Sequence, residues 1–374
     1  MATTSSQMSP QQANMLARMA VLQQSLPVRI KKGTYGPYSM GQKVSIDLDR
    51  TGLFTHIGID FTASANITAA ATASQMAPYS LLGAINYRDF SNFPHGAMTG
   101  PQLFVLNSLR NGRLFDLAGN NMQATTGAPL VGSVDTALTA VPTAVATAPI
   151  SGSLIYPLAY NPQSDLTGAV NAQVGQGQHT IDIQINNAAV GSDGYISPYT
   201  GGTVAISDIY FDVYEYYYVV PSNVPLPMLD LAKIYGLQGN ITDSSNLVAG
   251  QAKVLSWPGN QTVLAAGFFY ENGGSGTVNS TDISELDLVY NITTQMETGT
   301  PQILRREMRR KLNADIFPGW YIQDRRGHPV NTQFTGEVQT RLTPSGAPAA
   351  GAYIASFFET IYLAGSAIGG AVQG

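Results

Sequence analysis

From residue 44 onward, apolar and polar residues alternate with a period of two, and this pattern limits what the chain can fold into more than any other. Val44, Ile46 and Leu48 alternate with Ser45, Asp47 and Asp49, and Ile181, Ile183 and Ile185 with Asp182, Gln184 and Asn186. The same rhythm carries Ile57, Ile59 and Phe61, then Ile209, Phe211 and Val213, then Leu286, Leu288, Tyr290 and Ile292. Side chains on a strand point alternately to opposite faces, so each run has one buried and one polar side. That favours antiparallel sheets packed as sandwiches and excludes a βαβ arrangement.

Three segments break the rhythm and read as helices. Ser9 to Leu26 starts with Ser9 as cap, Pro10 at the first helical position and Gln12 completing a Ser-x-x-Gln capping box, and it stops before Pro27. Met15, Leu16, Met19 and Leu22 share one of its faces, which either packs on protein or meets an apolar surface. Gly100-Pro101-Gln102-Leu103-Phe104 and Thr300-Pro301-Gln302-Ile303-Leu304 are two further starts with proline at the first position. The second continues to Leu312, with Leu304, Met308 and Leu312 as an anchoring face and with Arg305, Arg306, Arg309, Arg310 and Lys311 set against Glu307 alone. Such a helix either contacts nucleic acid, lipid headgroups or an acidic subunit edge, or is a solvated face neutralised by its own lobe.

Pro221, Pro225 and Pro227 follow the aromatic run Tyr210 to Val220, and proline cannot donate into a central ladder. A boundary there divides the chain into an arm (1–26), a first lobe (27–222) and a second lobe (228–374). The second lobe closes on another aromatic run, Tyr353 to Leu363, so an internal duplication is expected. The lobes match in length once 117–150 and 186–203, rich in Ala, Thr, Gly and Pro, are taken as long loops of the first. The last residues, Ala364 to Gly374, carry no charge and are expected to be mobile or tucked under a neighbour.

Charge is unevenly placed. The first 46 residues have no Asp or Glu but carry Arg18, Arg29, Lys31, Lys32 and Lys43, on a chain of net charge −5. Only 11% of residues are charged, against roughly 25% in an ordinary soluble domain, which suggests a surface largely covered by copies of itself or by partners. There is no cysteine, so packing alone must supply stability. No leader segment and no apolar stretch of membrane-spanning length is recognisable, so the product is expected to stay where it is made or to leave by lysis.

Nothing in the sequence gathers catalytic or ligating groups. His56, His95, His179 and His328 lack metal-ligand spacing. Asp47 and Asp49 sit on the polar side of a strand, and Gly273-Gly274-Ser275-Gly276 lacks the Lys-Ser or Lys-Thr of a phosphate loop. Asn-x-Ser/Thr sequons at Asn66, Asn240, Asn260, Asn279 and Asn291 reflect an Asn- and Thr-rich β-protein. No cofactor is expected.

Four runs carry a family resemblance. AVLQQSLPV (Ala20 to Val28), YPLAYNPQSDLTGAVNAQV (Tyr156 to Val174), LPMLDLAKIYGL (Leu226 to Leu237) and MRRKLNADIFPGWYIQDRRGHPV (Met308 to Val330) resemble, in order, segments of tectivirus major capsid proteins. The Asp165-Leu166-Thr167-Gly168-Ala169-Val170 string is the most specific, and departures concentrate in 117–150. The resemblance implies an all-β fold of two eight-stranded jelly rolls in one chain, with a short N-terminal helix and a short helix in each lobe. It further implies homotrimers that tile an icosahedral shell over an internal lipid membrane, with penton and minor membrane-associated proteins as partners.

The expectation is therefore a non-enzymatic coat protein of the outer virion shell. Its arm is expected to be membrane-facing or inter-subunit, through Met15, Leu16, Arg18, Met19, Leu22, Arg29, Lys31 and Lys32. The basic helix is expected to make a contact through Arg305, Arg306, Arg309, Arg310 and Lys311. Sequence-specific nucleic-acid binding is not expected. The rivals are a secreted or surface β-sandwich adhesin, a carbohydrate-active enzyme using acids such as Asp47, and an arm bound to DNA phosphates.

Overall fold

The computed structural model describes residues 8–74, 76–111, 143–173, 177–191, 197–242, 247–272, 282–291, 294–299, 301–312, 319–333, 337–349 and 352–363. Most of the proposed loop 117–150 and the tail Ala364 to Gly374 lie outside them.

The first lobe is built from β1 (Leu26–Tyr38), β2 (Lys43–Asp47), β3 (Leu53–Ala69), β4 (Leu82–Arg88), β5 (Pro94–Thr99), β6 (Ala146–Pro157), β7 (Thr180–Ile185) and β8 (Thr203–Val219). One sheet runs β1-β8-β3-β6 and the other β2-β7-β4-β5, every pair antiparallel. The second lobe is built from β9 (Lys233–Thr242), β10 (Lys253–Ser256), β11 (Thr262–Glu271), β12 (Ile283–Tyr290), β13 (Thr294–Gly299), β14 (Trp320–Asp324), β15 (Val338–Pro344) and β16 (Tyr353–Leu363). Its sheets run β9-β16-β11-β14 and β10-β15-β12-β13, the order of the first lobe repeated strand for strand. This is a jelly roll twice over.

Helices sit at equivalent places. Helix α1 (Pro10–Gln24) precedes the first lobe, α2 (Gly100–Asn111) joins β5 to β6, α3 (Met228–Leu231) stands between the lobes, and α4 (Pro301–Leu312) joins β13 to β14. The Ser9 capping box forms as expected: Gln12 N–H donates to Ser9 Oγ at 3.3 Å, and Ser9 N–H to Gln12 Oε1 at 3.0 Å.

The alternating residues are the core. Ile57, Ile59, Phe61, Ile181, Ile183, Ile185, Ile209, Phe211 and Val213 are all buried inside the first sandwich. Removal of each such side chain from water contributes about 1.5–3 kcal/mol. Strands β11 and β16 show no such rhythm because both of their faces are covered. Phe268 and Phe358 point into the second sandwich with Trp257 and Leu288, whereas Phe269, Phe357 and Trp320 join the core of the first lobe. A continuous apolar core therefore crosses between lobes.

The structure corrects several expectations. Strand β1, with its Lys, Gly and Pro residues, has no alternation, yet it pairs with β8 from Leu26↔Val219 to Tyr38↔Ile209. Strand β6 begins at Ala146, inside the segment read as loop 117–150. Within 186–203, Tyr199–Thr200 pairs with Thr72–Ala73, and β8 begins at Thr203. The short helix α3 follows Pro227 and has no periodicity that would announce it.

Candidate assembly surfaces

The junction between the lobes is built around α2. Residues Pro101 to Leu109 are all buried, because one side of the helix packs on its own lobe and the other on the second. Gln102 donates through Nε2 to the Ser356 carbonyl at 2.9 Å and to that of Asn240 at 3.5 Å. At the other end, Arg110 donates to the Tyr235 hydroxyl at 2.5 Å and to the Tyr160 and Ala159 carbonyls at 2.7 and 3.1 Å. Arg110 also lies 3.4 Å from Glu359, whose other oxygen accepts from Arg326 Nε at 3.0 Å. Arg326 Nη1 returns to the Leu109 carbonyl at 3.3 Å, and the Tyr235 hydroxyl donates to Glu359.

Glu359 is completely buried, and its carboxylate is answered by two guanidiniums. Isolated, it would carry a large desolvation cost; satisfied in this way, it fixes one arrangement of the lobes. Burial raises the Tyr235 phenol well above its ordinary range, so it remains a donor. A cleft of about 470 Å³ opens beside the network, lined by His56, Asn107, Arg110, Tyr160, Arg326 and Glu359 among others. Burial, reinforced by the Arg110 charge, lowers His56 to about 4, so the ring is neutral near pH 7.

Glycine permits the close approach of the lobes. Gly96 adopts φ +118°, and a Cβ there would lie 1.6 Å from the Leu237 carbonyl oxygen. Gly168, at φ +88°, lies against Tyr235 in the same manner.

The N-terminal helix makes a second assembly at the foot of the first lobe. Val21 is buried with Leu53, Ala159, Leu166, Ala169 and Val224. Arg18 grips Asp230 through Nε at 2.7 Å and Nη2 at 2.8 Å, and its Nη1 lies 3.8 Å from Asp165. Asn14 donates to Asp230 at 3.0 Å and accepts from the Leu229 N–H at 2.8 Å. Three of the four family-like runs therefore meet at this foot.

The packed side of α1 is thus Asn14, Ala17, Arg18 and Val21, offset from the expected stripe. Met15, Leu16 and Met19 are exposed and Leu22 is half-buried against the foot. The basic residues of the arm all have local partners. Arg18 is bonded to Asp230, Lys31 reaches Asp212 at 2.7 Å, Lys32 pairs with Asp49, and the Arg29 guanidinium lies 4.7 Å from the Tyr214 ring centre. Arg29 and Lys31 lie on the outer face of the first-lobe sheet.

On α4, Pro301 and Met308 are buried, and Leu304 packs against the cluster of Leu286, Tyr321 and Ile354. The side chain of Leu312 lies outside the described residues. Lys311 pairs with Asp324, and burial lowers its ammonium pKa. Arg305 is half-buried, and Arg306, Arg309 and Arg310 are exposed.

The other candidates do not converge. Asp47 is exposed and Asp49 is paired with Lys32. His56 stacks on Tyr216 at 4.0 Å, His95 meets Asp89 at 3.3 Å, His179 meets Tyr87 at 3.1 Å, and His328 lies exposed in a turn. Among the described residues no group of His, Asp and Glu could hold a metal ion, and no helix is long and apolar enough to cross a membrane.

Arg110, Tyr235, Arg326, Glu359 and Asp230 were not singled out from sequence. One signal was available: Glu359 is the only charge in the apolar run Tyr353 to Leu363, a place where a carboxylate requires a partner.

Among the described residues, two lobes of one strand order, fused through a buried helix and a buried ionic network, define a double jelly roll. The family described as P3 major capsid protein N-terminal matches residues 2–216. The chain belongs to this family of major capsid proteins; it is a structural component of the virion shell and not an enzyme.

Solved structures agree in fold. The STIV MCP, from Sulfolobus turreted icosahedral virus, aligns with a TM-score of 0.67 at 13% identity, over 91% of this chain and 97% of its own. PBCV-1 VP54 aligns at 0.60 and 12%, over 91% and 95%. The major capsid protein P2 from bacteriophage PM2 aligns at 0.50 and 9%, over 90% and 98%. No curated protein matches the sequence.

Proposed function

We propose that three copies of this chain close into a pseudo-hexagonal capsomer, and that these capsomers tile an icosahedral shell around an internal membrane. The observation that carries this reading is the repetition of one strand order in two lobes held rigidly together. Three such chains present six similar sides, which suits a near-hexagonal lattice. The jelly roll suits a building block, because two packed sheets leave few free edges to aggregate.

The arm supplies the foot. Its basic residues are engaged within the chain, so the element offered to a membrane or to a neighbour is the exposed row Met15, Leu16 and Met19. Penton and minor membrane-associated proteins complete the set of partners in this reading. Native mass tests the trimer: a species of three times the 39.7 kDa chain that survives dilution is expected. Co-sedimentation with lipid vesicles tests the foot: deletion of residues 1–24 should abolish it, and unchanged binding would refute the role.

A further inference from the structure

Helix α2 and helix α4 occupy the same place in two lobes of the same topology, but only α2 is covered. Gln102 and Gln302 each follow the helix's first proline, and Arg110 and Arg310 stand at the same offset beyond it. In α2 these positions bind the outer face of the second-lobe sheet, through Ser356 and Asn240 at one end and Tyr235 and Glu359 at the other. In α4, Gln302 and Arg310 are exposed and make no such contact among the described residues. Gln302, Ile303, Arg306 and Arg310 lie along one exposed face, and among the described residues Arg306 and Arg310 have no acidic partner.

The sheets show the reciprocal difference. Strand β16 is buried on both faces because α2 covers its outer one, whereas β8 alternates buried and half-exposed residues. Its outer face carries Tyr210, Asp212, Tyr214, Tyr216 and Tyr218. Beside them lies a groove of about 410 Å³ lined by Arg29, Asp60, Ser153, Asp212, Tyr214 and Tyr216 among others. Asp60 accepts from the Ser153 hydroxyl and has no salt bridge among the described residues. The Arg29 guanidinium over Tyr214 shows that these ring faces accept a cation.

We infer that α4 of one copy docks, through Arg306 and Arg310, into the β8 groove of a second copy, repeating between chains the contact that α2 makes within the chain. This rests on the trimer reading and names its seam. The occupant is chosen by continuity with the intrachain contact, and by the Asp60 carboxylate, which lies in the groove beside Arg29 and the Lys31–Asp212 pair and has no salt bridge of its own among the described residues. A head-to-tail contact of this type forms a closed ring when the rotation between successive lobes is one-sixth of a turn.

The chain has no cysteine, so thiol pairs can report the seam directly. In the variant I303C/T62C, which keeps Arg306, Arg310 and Asp60, a short bismaleimide linker should yield chains covalently joined up to trimer mass, while either single variant stays at chain mass. R306E/R310E should convert the wild-type trimer to monomer under the same conditions. If the wild type is a trimer, the double variant fails to link and R306E/R310E stays trimeric, the seam lies elsewhere and only this inference fails. A wild type that is monomeric throughout overturns the trimer reading as well.

Discussion

The Arg326 guanidinium lies against the Glu359 carboxylate, with Nε and Nη2 at 3.0 and 2.5 Å from the same oxygen, and Glu359 has no exposed surface. Arg110 approaches the other oxygen from the first lobe, so one carboxylate closes the junction from both sides. Glu359→Ala would leave two guanidiniums in a partly buried site without their counter-charge. A loss of about 3–5 kcal/mol is expected, read from the urea midpoint at unchanged slope.

The junction also depends on backbone approach. Gly96→Ala forces a Cβ onto the Leu237 carbonyl oxygen, at a φ of +118° that other residues rarely adopt. A cost of at least about 1–3 kcal/mol is expected, seen as lower soluble yield and a lower melting temperature. The control Gly259→Ala, where a Cβ would meet nothing, should melt like the wild type.

At the foot, Arg18→Ala leaves Asp230 buried without its cation. Arg18 is partly exposed, so the expected cost is below that of a fully buried pair, about 1–3 kcal/mol. Limited proteolysis should then cleave within residues 10–24 faster than in the wild type, while the sandwich cores stay protected.

Two buried groups give opposite pH dependences. Burial raises Glu215 to about 7, so the folded state holds a proton that the unfolded state releases near its ordinary value; this stability is present at low pH and is lost as pH rises toward 7. His56 is lowered to about 4, so its contribution is present above its ordinary value and is lost as pH falls toward 4. Urea titrations between pH 4 and 8 should show Glu215→Gln removing the decline toward neutral pH, and His56→Gln the decline toward acid.

How much of this was legible in the sequence depends on which faces are covered. Strands with one wet face, such as those holding Ile181, Ile183 and Ile185, announce themselves by alternation, and Ser9 with Gln12 announces the first helix. Strand β11 does not, because Val263 to Glu271 is covered by its own sandwich and by the first lobe. The apolar stripe of α1 is not the side that packs within the chain: Arg18 and Asn14 form that side because Asp230, 212 residues away from Arg18, lies there. Arg29 and Lys31 read locally only as part of a basic arm; strand pairing sets them beside Tyr214, Tyr216 and Asp212. Long-range partners of this kind are absent from any local pattern.

In the proposed capsomer, two equivalent lobes in each of three chains make a six-sided unit. Electron-microscope class averages of the purified protein test it most directly. A trimer of two-lobed chains gives a near-hexagonal outline with threefold symmetry, six densities of similar size alternating around a central axis. Averages showing isolated two-lobed particles, or a ring with any other number of lobes, would contradict it.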